Sequence, residues 1–255
     1  MKRIVIKVGT STITHTSGLL NLRKIDMLAR VISDLKNAGH EIILVSSGAI
    51  AAGRGKMQMK FKPELLEEKQ AVASIGQCEL MYIYDKFFSQ YAKTVAQLLI
   101  TKRVIIDDVL RENASNTIET LLKYNSIPII NENDSVATDE IVYGDNDTLS
   151  AITAKLIHAD LLILLTDIDG LYDRNPSTHP EAKKIDVVSN ITEDIMAMAE
   201  DSSSDFGTGG MITKLQAAKI ACESGCDMII AHGKDPAILY DIVDGKARGT
   251  LFQAQ

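Results

Sequence analysis

The sequence predicts an α/β fold, in which a mainly parallel central β-sheet lies between helices in a three-layer αβα arrangement. Short apolar segments alternate with longer amphipathic ones along the chain, as they do where helices connect parallel strands. Most of the short segments are apolar without an alternation of apolar and polar residues, which predicts strands that are covered on both faces. The 255 residues, 45% of them hydrophobic, suffice for one large domain or two modest ones. The lack of any linker, repeat or low-complexity segment favours a single domain over residues 1–255.

Six short segments are predicted as strands because they are rich in Val, Ile and Leu. They are RIVIKV (3–8), EIILVS (41–46), TVAQLLI (94–100), IPIIN (127–131), LLILLT (161–166) and DMIIAH (227–232). Between them, apolar residues that recur every three or four positions predict helices. The clearest helix covers residues 22–38, and a long helical region covers residues 63–91 with a bend at Gly76. Further helices are predicted at 108–125, 147–159, 191–200, 213–224 and 236–243.

Composition and charge argue against several classes of protein. The formal net charge is −7 and the basic residues form no run, which argues against a nucleic-acid-binding surface. No apolar stretch approaches the length of a membrane span, and the first apolar run is broken at Lys7, too early for a signal peptide. Cys78, Cys222 and Cys226 lack metal-binding spacing and are expected to be free thiols. We therefore expect a cytoplasmic protein with no nucleic-acid or membrane partner.

Polar, glycine-containing segments follow several of the predicted strands, at the edge where an open parallel sheet binds its ligands. They are KVGTST, SSGAIAAG, NENDSV and TDIDG. Lys7 lies near the end of the first strand. A single lysine in a strand is usually on a solvated edge, but the neighbours of Lys7 are predicted to be buried, so its ammonium group is expected to emerge at the end of the strand. Gly9 is expected to leave a backbone amide free for a phosphate.

The segment FGTGGMITKLQAAKIA (206–221) is a glycine-rich loop that leads into a helix. Such a loop lets the backbone approach an anion, and the first amides of the helix point towards it. Thr208, Thr213 and Lys214 add hydroxyl and ammonium donors. The segment matches neither a Walker A motif nor a dinucleotide-binding fingerprint, and a flexible loop before an ordinary helix explains the glycines equally well. With Lys7, Lys214 would supply the two positive charges that phosphoryl transfer requires.

The segment VSSGAIAAG (45–53) repeats the pattern of strand, turn and helix. Ser46, Ser47 and the amide of Gly48 could hold a carboxylate against the start of the helix. Capping of that helix by the Ser47 side chain is an equally good interpretation. The pattern alone does not decide between the two.

The segment NENDSVATDEIVYGDNDTLSA (131–151) contains six carboxylates and three asparagines but no lysine or arginine. Such crowding requires a compensating partner. Asp145 or Asp147 could merely cap the following helix, and metal binding is a third interpretation, although the EF-hand spacing is missing. Most of the acids are explained if part of the cluster recognises a substrate ammonium group while Asp147 holds the two lysines in place.

Six motifs occur in order along nearly the whole chain: KVGTS, SSGAIAAG, NENDSV, GDNDTLSA, LLTDIDGLY and GTGGMITK. Together they resemble those of the amino acid kinase superfamily, and within it those of the glutamate 5-kinases. The resemblance implies ATP-dependent phosphorylation of the γ-carboxylate of L-glutamate to γ-glutamyl 5-phosphate, the first step of proline biosynthesis. A carboxylate is already a nucleophile at neutral pH, so this reaction needs no general base.

The resemblance also implies roles for individual residues. Lys7 and Lys214 would stabilise the charge on the transferring phosphoryl group, and Asp147 would orient them. The residues that match the family's glutamate pocket are Ser47, Gly48, Asn131, Asp134, Asp145 and Asn146. Those that match its nucleotide site are Lys7, Gly9, Thr166, Asp167, Thr208, Gly209, Gly210, Met211, Ile212, Thr213 and Lys214. The substrate-binding half is expected to cover about residues 1–155 and the nucleotide-binding half about residues 156–255.

The resemblance further implies Mg²⁺, held mainly by nucleotide phosphates and water, so no residue is assigned as a metal ligand. It implies a homo-oligomer, either a dimer or a tetramer, and proline as a feedback inhibitor. Many glutamate 5-kinases carry a C-terminal PUA domain. None is expected here, because the sequence stops at Gln255, just after the kinase region.

Alternatives within and outside the superfamily remain open. Acetylglutamate kinase acts on a substrate without a free ammonium group, so the acids of 131–147 would have no substrate ammonium group to bind. Aspartokinases usually append regulatory domains, and a UMP kinase would need more arginine near its substrate. A non-catalytic amino-acid-binding regulatory module would have lost a catalytic lysine, whereas Lys7, Lys214 and Asp147 are all present.

Overall fold

The computed structural model describes residues 1–137, 146–200, 210–246 and 248–255, and it has the α/β architecture that the sequence predicts. Its strands are β1 (Arg3–Val8), β2 (Glu41–Ser46), β3 (Val95–Ile100), β4 (Ile127–Glu132), β5 (Leu161–Thr166), β6 (Leu171–Tyr172), β7 (Lys184–Ile185), β8 (Val187–Val188), β9 (Asp227–His232) and β10 (Thr250–Phe252). Its helices are α1 (Thr10–Ile13), α2 (Leu22–Asn37), α3 (Ala49–Lys56), α4 (Leu66–Ser89), α5 (Asp108–Lys123), α6 (Asn146–Leu156), α7 (Glu193–Glu200), α8 (Met211–Glu223) and α9 (Ile238–Val243). A 3-10 helix covers Lys102–Ile105.

Within the described part of the chain, the main sheet has eight strands in the order β3-β4-β2-β1-β5-β9-β10-β8. Neighbouring strands are parallel except β9 and β10, which are antiparallel. β1 lies between β2 and β5, so Lys7 is aligned with Val45 on one side and with Leu164 on the other. From β1 the sheet continues through β2 on one side and through β5 on the other, so the direction in which strands are added changes at β1. Such a change of direction opens a crevice at the carboxyl ends of the strands.

Helices cover both faces of this sheet, because alternate residues of each strand point to opposite sides. Ile4 and Ile6 of β1 belong to an apolar cluster that includes Leu28 of α2 and Tyr84 of α4. Val5 belongs to a second cluster that contains residues of α5, α6 and α8. The core therefore lies in two layers on either side of the sheet, which confirms the predicted three-layer arrangement.

The predicted strands and helices are present, and the shifts at their ends have local causes. All six predicted strands end within one residue of the prediction, and the helix ends shift by no more than three residues. α4, for example, begins at Leu66 rather than at Pro63, because the Glu68 side chain accepts a hydrogen bond from the Leu65 amide and closes the first turn. The strands that the sequence did not indicate are two or three residues long, too short to carry a pattern.

Two glycines allow α3 and α4 to pack against each other closely. A Cβ atom on Gly76 would overlap with the carbonyl oxygen of Ala49, and one on Gly53 would overlap with that of Val72. Both contacts are with backbone, so neither position has room for a side chain. The sequence suggests a bend at Gly76, but α4 runs through it as one helix, and the glycine is required for packing. This contact fixes the position of α3 beside α4, and α3 begins directly after the turn that follows β2.

No described helix is both long and apolar enough to cross a membrane.

All three cysteines are free thiols, as the sequence predicts, with Cys78 exposed and the other two buried.

Candidate active site

A cleft of about 990 Å³ lies at the carboxyl ends of β1, β2 and β5, the edge at which the sequence predicts a ligand site. Its walls include Gly9 after β1, Ser47 and Gly48 after β2, and Asp167 after β5. The start of α8 closes one side with Gly210, Met211 and Lys214. The cleft therefore brings together segments that are distant in the sequence.

Lys7, Asp147 and Lys214 form a buried cluster of charges at this cleft. Lys7 Nζ lies 2.7 Å from Asp147 Oδ1, and Lys214 Nζ lies 3.2 Å from Asp147 Oδ2. The Asp147 side chain is 1% exposed, and both lysines line the cleft. The interpretation of Lys7 as a lysine on a solvated edge is wrong, because it lies in the central strand and is 7% exposed. One carboxylate thus contacts two ammonium groups from opposite ends of the chain.

The electrostatic environment keeps Asp147 ionised. Burial acts to raise the pKa of this carboxyl, but the charges of Lys7 and Lys214 and their hydrogen bonds outweigh it and hold the pKa at about 2. The Thr213 hydroxyl lies 3.0 Å from Asp147 Oδ2 and 2.9 Å from the Gly210 carbonyl oxygen. The carboxylate is therefore held by three side chains, and the cluster keeps one net positive charge.

A second group of buried polar side chains lies beside the charge cluster. Asn146 Nδ2 is 2.9 Å from Ser47 Oγ, 3.1 Å from the Ser46 carbonyl oxygen and 3.1 Å from Asn131 Oδ1. Ser47 does not cap α3, because the N-cap residue is Gly48 and no side chain caps it. Gly48 has a φ of +95°, where glycine is favoured. The turn after β2 thus presents the Ser47 hydroxyl to Asn146 rather than to the helix.

Asp134 lies in the loop after β4 and lines the same cleft. It is 6% exposed, and burial raises its pKa to about 6. Gln70 of α4 donates a hydrogen bond of 3.1 Å to the carbonyl oxygen of Asp134 and fixes the backbone there. At neutral pH this side chain is an ionised acid in a poorly hydrated place, which suits a cationic ligand group.

The predicted nucleotide residues that line the cleft are Lys7, Gly9, Thr166, Asp167, Gly210, Met211 and Lys214. The Gly9 amide donates to the Leu165 carbonyl oxygen at 3.2 Å, because the pairing of β1 with β5 continues by one residue. The expectation that this amide is free for a phosphate is therefore wrong, although Gly9 lines the cleft. Thr166 and Asp167 both line it, and the Thr166 hydroxyl donates to Asp167 Oδ1 at 2.9 Å.

Not every predicted residue faces the cleft. Ile212 is half-buried and packs against the apolar core of α8, whereas its neighbour Met211 reaches the cleft. Asn131 and Asn146 lie behind the wall that Ser47 forms. Three predicted residues, Asp145, Thr208 and Gly209, lie outside the described residues.

The structure adds cleft residues that sequence reasoning missed. Arg54 comes from α3, Lys62 from the segment that leads into α4, and Lys69 from the first turns of α4, whereas Tyr172 and Arg174 follow β5. Arg54, Lys62 and Lys69 lie outside the glycine-containing segments at strand ends, which are the signal that identified the other residues. The positions of these three follow from how α3 packs on α4 rather than from any motif.

Comparisons with known proteins identify the family of the chain. The family model described as the amino acid kinase family matches residues 2–232. A glutamate 5-kinase of Clostridium perfringens is 52% identical over 258 aligned residues, which cover 100% of this chain and 96% of the relative. A glutamate 5-kinase of Listeria innocua is also 52% identical, and the alignment covers 100% of this chain and 94% of the relative.

Solved structures with the same fold include two kinases of low sequence identity. A carbamate kinase from Giardia lamblia bound to AMP-PNP has a TM-score of 0.69 at 18% identity, covering 100% of this chain and 99% of that one. A UMP kinase from Ureaplasma parvum has a TM-score of 0.69 at 15% identity, covering 99% of this chain and 98% of that one. At these identities the similarity concerns the fold alone.

The substitution Asp147→Asn should strongly destabilise the protein, because it leaves two buried ammonium groups without their carboxylate. We expect a loss of about 3–5 kcal/mol in the free energy of unfolding, measured by urea denaturation at pH 7. The difference from wild type should shrink as the pH falls from about 4 towards 2. In that range the unfolded state takes up the Asp147 proton before the folded state does, so the wild type loses this contribution.

The matched control is Asp241→Asn, which also removes a carboxylate that contacts two cations, Lys246 and Arg248, but at the surface. Surface ion pairs contribute little, so this variant should unfold close to wild type. Equal stability of the two variants would contradict a buried, mutually dependent cluster at Asp147.

Proposed function

The chain belongs to the amino acid kinase family, and we propose that it transfers the terminal phosphoryl group of ATP to the γ-carboxylate of L-glutamate. The product is γ-glutamyl 5-phosphate, the first intermediate of proline biosynthesis. The single observation that carries this proposal is the contact of two buried ammonium groups with one carboxylate at the cleft. The names of relatives that are 52% identical over the whole chain support the choice of glutamate.

The chemistry requires little more than placement and charge. The attacking γ-carboxylate is already ionised at neutral pH, so no side chain must remove a proton. Catalysis then consists of bringing two anions into line and offsetting their repulsion. Lys7 and Lys214 are the groups that contact the transferring phosphoryl group, and Asp147 holds the two ammonium groups in fixed positions. The two ammonium groups outnumber the single carboxylate, and a positive charge at this place suits the phosphoryl oxygens.

The acceptor side of the cleft suits a free amino acid. The ionised Asp134 carboxylate would bind the substrate ammonium group, and the Ser47 hydroxyl and the Gly48 amide would bind its carboxylates. The motif match also assigns Asn131, which lies behind Ser47, to this pocket. Asn131 is 3% exposed, and its Nδ2 has no hydrogen-bond partner among the described residues. Asn146 contributes by fixing Ser47 and Asn131. The motif match adds Asp145 to this pocket.

The opposite side of the cleft suits ATP. Lys7, Gly9, Thr166, Asp167 and the run from Thr208 to Lys214 would bind the nucleotide, which divides the chain into an acceptor half of about residues 1–155 and a nucleotide half of about residues 156–255. Among the described residues, no group of three His, Cys, Asp or Glu side chains is arranged to hold a metal. As the resemblance of the motifs implies, we propose that Mg²⁺ arrives with ATP and is held by phosphates and water. When bound, it would neutralise part of the phosphate charge.

Two further parts of the proposal concern assembly and regulation. A homo-oligomer, dimer or tetramer, is expected from the family, and exposed apolar side chains such as Tyr82 and Ile106 are candidates for its interface. Proline inhibition remains an expectation that rests on the resemblance of the motifs.

A substrate comparison tests the proposed function. Purified protein with Mg-ATP and hydroxylamine should convert L-glutamate to γ-glutamyl hydroxamate, and N-acetylglutamate should give far less product. The reason is that N-acetylation removes the charge that Asp134 would bind and leaves a buried carboxylate without a partner. ADP release that is faster with N-acetylglutamate than with L-glutamate would contradict the assignment.

The substitution Lys214→Ala should lower kcat about a hundredfold or more and change the KM for glutamate far less. An interaction that is made mainly in the transition state affects kcat in this way. Initial rates of ADP formation over a range of glutamate concentrations measure both constants. The control is Lys219→Ala, an exposed lysine on the same helix. A kcat within tenfold of wild type would remove Lys214 from the catalytic groups.

The dependence of kcat/KM for glutamate on pH should report Asp134. Its pKa is raised to about 6, and only the ionised carboxylate binds an ammonium group. The value of kcat/KM should therefore fall about tenfold for each pH unit below about 6. The substitution Asp134→Asn should raise the KM for glutamate and abolish this inflection. An inflection that persists near pH 6 in the variant would assign it to another group.

A further inference from the structure

A buried tyrosine of α4 is hydrogen-bonded to the turn that forms the acceptor pocket. The Tyr84 hydroxyl lies 2.8 Å from Ser46 Oγ, at the end of β2, and both residues are 0% exposed. Ser46 Oγ also lies 3.0 Å from the carbonyl oxygen of Ser47, which can only accept. Because the serine hydroxyl has a single proton and directs it to that carbonyl, the Tyr84 hydroxyl is the donor to Ser46.

The hydrogen bonds continue from Ser46 to the acceptor pocket. Asn146 Nδ2 contacts both the Ser46 carbonyl oxygen, at 3.1 Å, and Ser47 Oγ, at 2.9 Å. Asn146 is adjacent to Asp147, the carboxylate of the charge cluster. A displacement of the Ser46 backbone would therefore move the Ser47 hydroxyl and its partner Asn146 together.

The position of the tyrosine ring is fixed by packing. Tyr84 lies in the apolar cluster between the sheet and α4, with the Phe88 ring 6.2 Å away between centroids. Burial raises the pKa of the Tyr84 hydroxyl far above its ordinary value, so it remains a proton donor over the whole working range of pH. The hydroxyl does not line the cleft, so any effect on the substrate must pass through Ser46.

The same helix also contacts the opposite wall of the pocket. Gln70 donates to the Asp134 carbonyl oxygen at 3.1 Å, and it lies fourteen residues before Tyr84, close to four helical turns. The two side chains therefore point to the same side of α4. The helix thus holds both the turn after β2 and the loop after β4.

We propose that Tyr84 is a positioning residue for glutamate binding, whose hydroxyl fixes the Ser46–Gly48 turn at the spacing that the acceptor requires. The inference rests on the proposed function. On the nucleotide side of the cleft, β1 pairs with β2 at Val8 and Ser46, whereas β5 lies beyond β1 in the sheet and does not pair with β2. A positioning role therefore predicts a change in glutamate binding with little change in ATP binding.

The test compares Tyr84→Phe with Tyr91→Phe in steady-state assays that vary glutamate and ATP separately. Tyr91 supplies a matched control, because its hydroxyl donates to Asp26 at 3.2 Å near the end of α4, away from the cleft. Tyr84→Phe should raise the KM for glutamate about fivefold, as expected for the loss of one buried hydrogen bond, and change the KM for ATP by less than about twofold. The increase should be the same at pH 7 and at pH 9.

A double-mutant cycle with Ser46→Ala tests whether the effect passes through Ser46. Ser46→Ala should itself raise the KM for glutamate, and adding Tyr84→Phe to it should cause no further increase. Fully additive increases would overturn the proposal. If Tyr84→Phe fails to fold, Ser46→Ala alone carries the test, and an unchanged KM for glutamate would overturn it.

The outcomes separate this inference from the proposed function. If the wild type forms no hydroxamate from glutamate, the proposed function fails. If the wild type is active but Tyr84→Phe keeps the wild-type KM for glutamate, the positioning role alone fails. Equal increases in both KM values, with a lowered unfolding temperature, would indicate a general structural role and would also overturn it.

Discussion

The contact of one buried carboxylate with two ammonium groups is the interaction on which the rest of the structure depends. Removing Lys7, Asp147 and Lys214 from water costs free energy, and their mutual attraction offsets that cost only while all three remain in contact. β1, α6 and the start of α8 must therefore keep fixed positions relative to one another. In return, the cleft holds a positive charge that does not have to be assembled when an anionic substrate binds.

The fold meets this constraint by placing β1 in the middle of the sheet and packing α6 against α8. Leu149 of α6 and Leu215 of α8 lie in one apolar cluster below the charges. The first two residues of α6 then serve different parts of the site. Asn146 binds the turn after β2, whereas Asp147 binds the lysines. Adjacent residues of one helix thus set the distance between the turn after β2, the proposed acceptor side, and the two lysines.

The fold and the charge cluster could be predicted from the sequence, but the support of the acceptor pocket could not. Strands such as β5 are apolar up to the last residue, and Lys7 and Asp147 lie in recognisable motifs next to strand ends and helix starts. The role of Gly76 and the hydrogen bond between Tyr84 and Ser46 depend on how α4 lies against α3 and the sheet. No periodicity encodes that contact. For Gly9 the sequence predicts a free amide that the structure does not have. The amide takes part in strand pairing that extends one residue beyond the predicted strand.

The most direct test of the shared-carboxylate arrangement is a crystal structure with ADP, Mg²⁺, glutamate and a planar metal fluoride that mimics the transferring phosphoryl group. We predict that Lys7 Nζ and Lys214 Nζ each lie within hydrogen-bond distance of the fluoride group while both still contact Asp147. A structure in which either ammonium group turns away from the fluoride, or in which Asp147 contacts only one of them, would contradict the account.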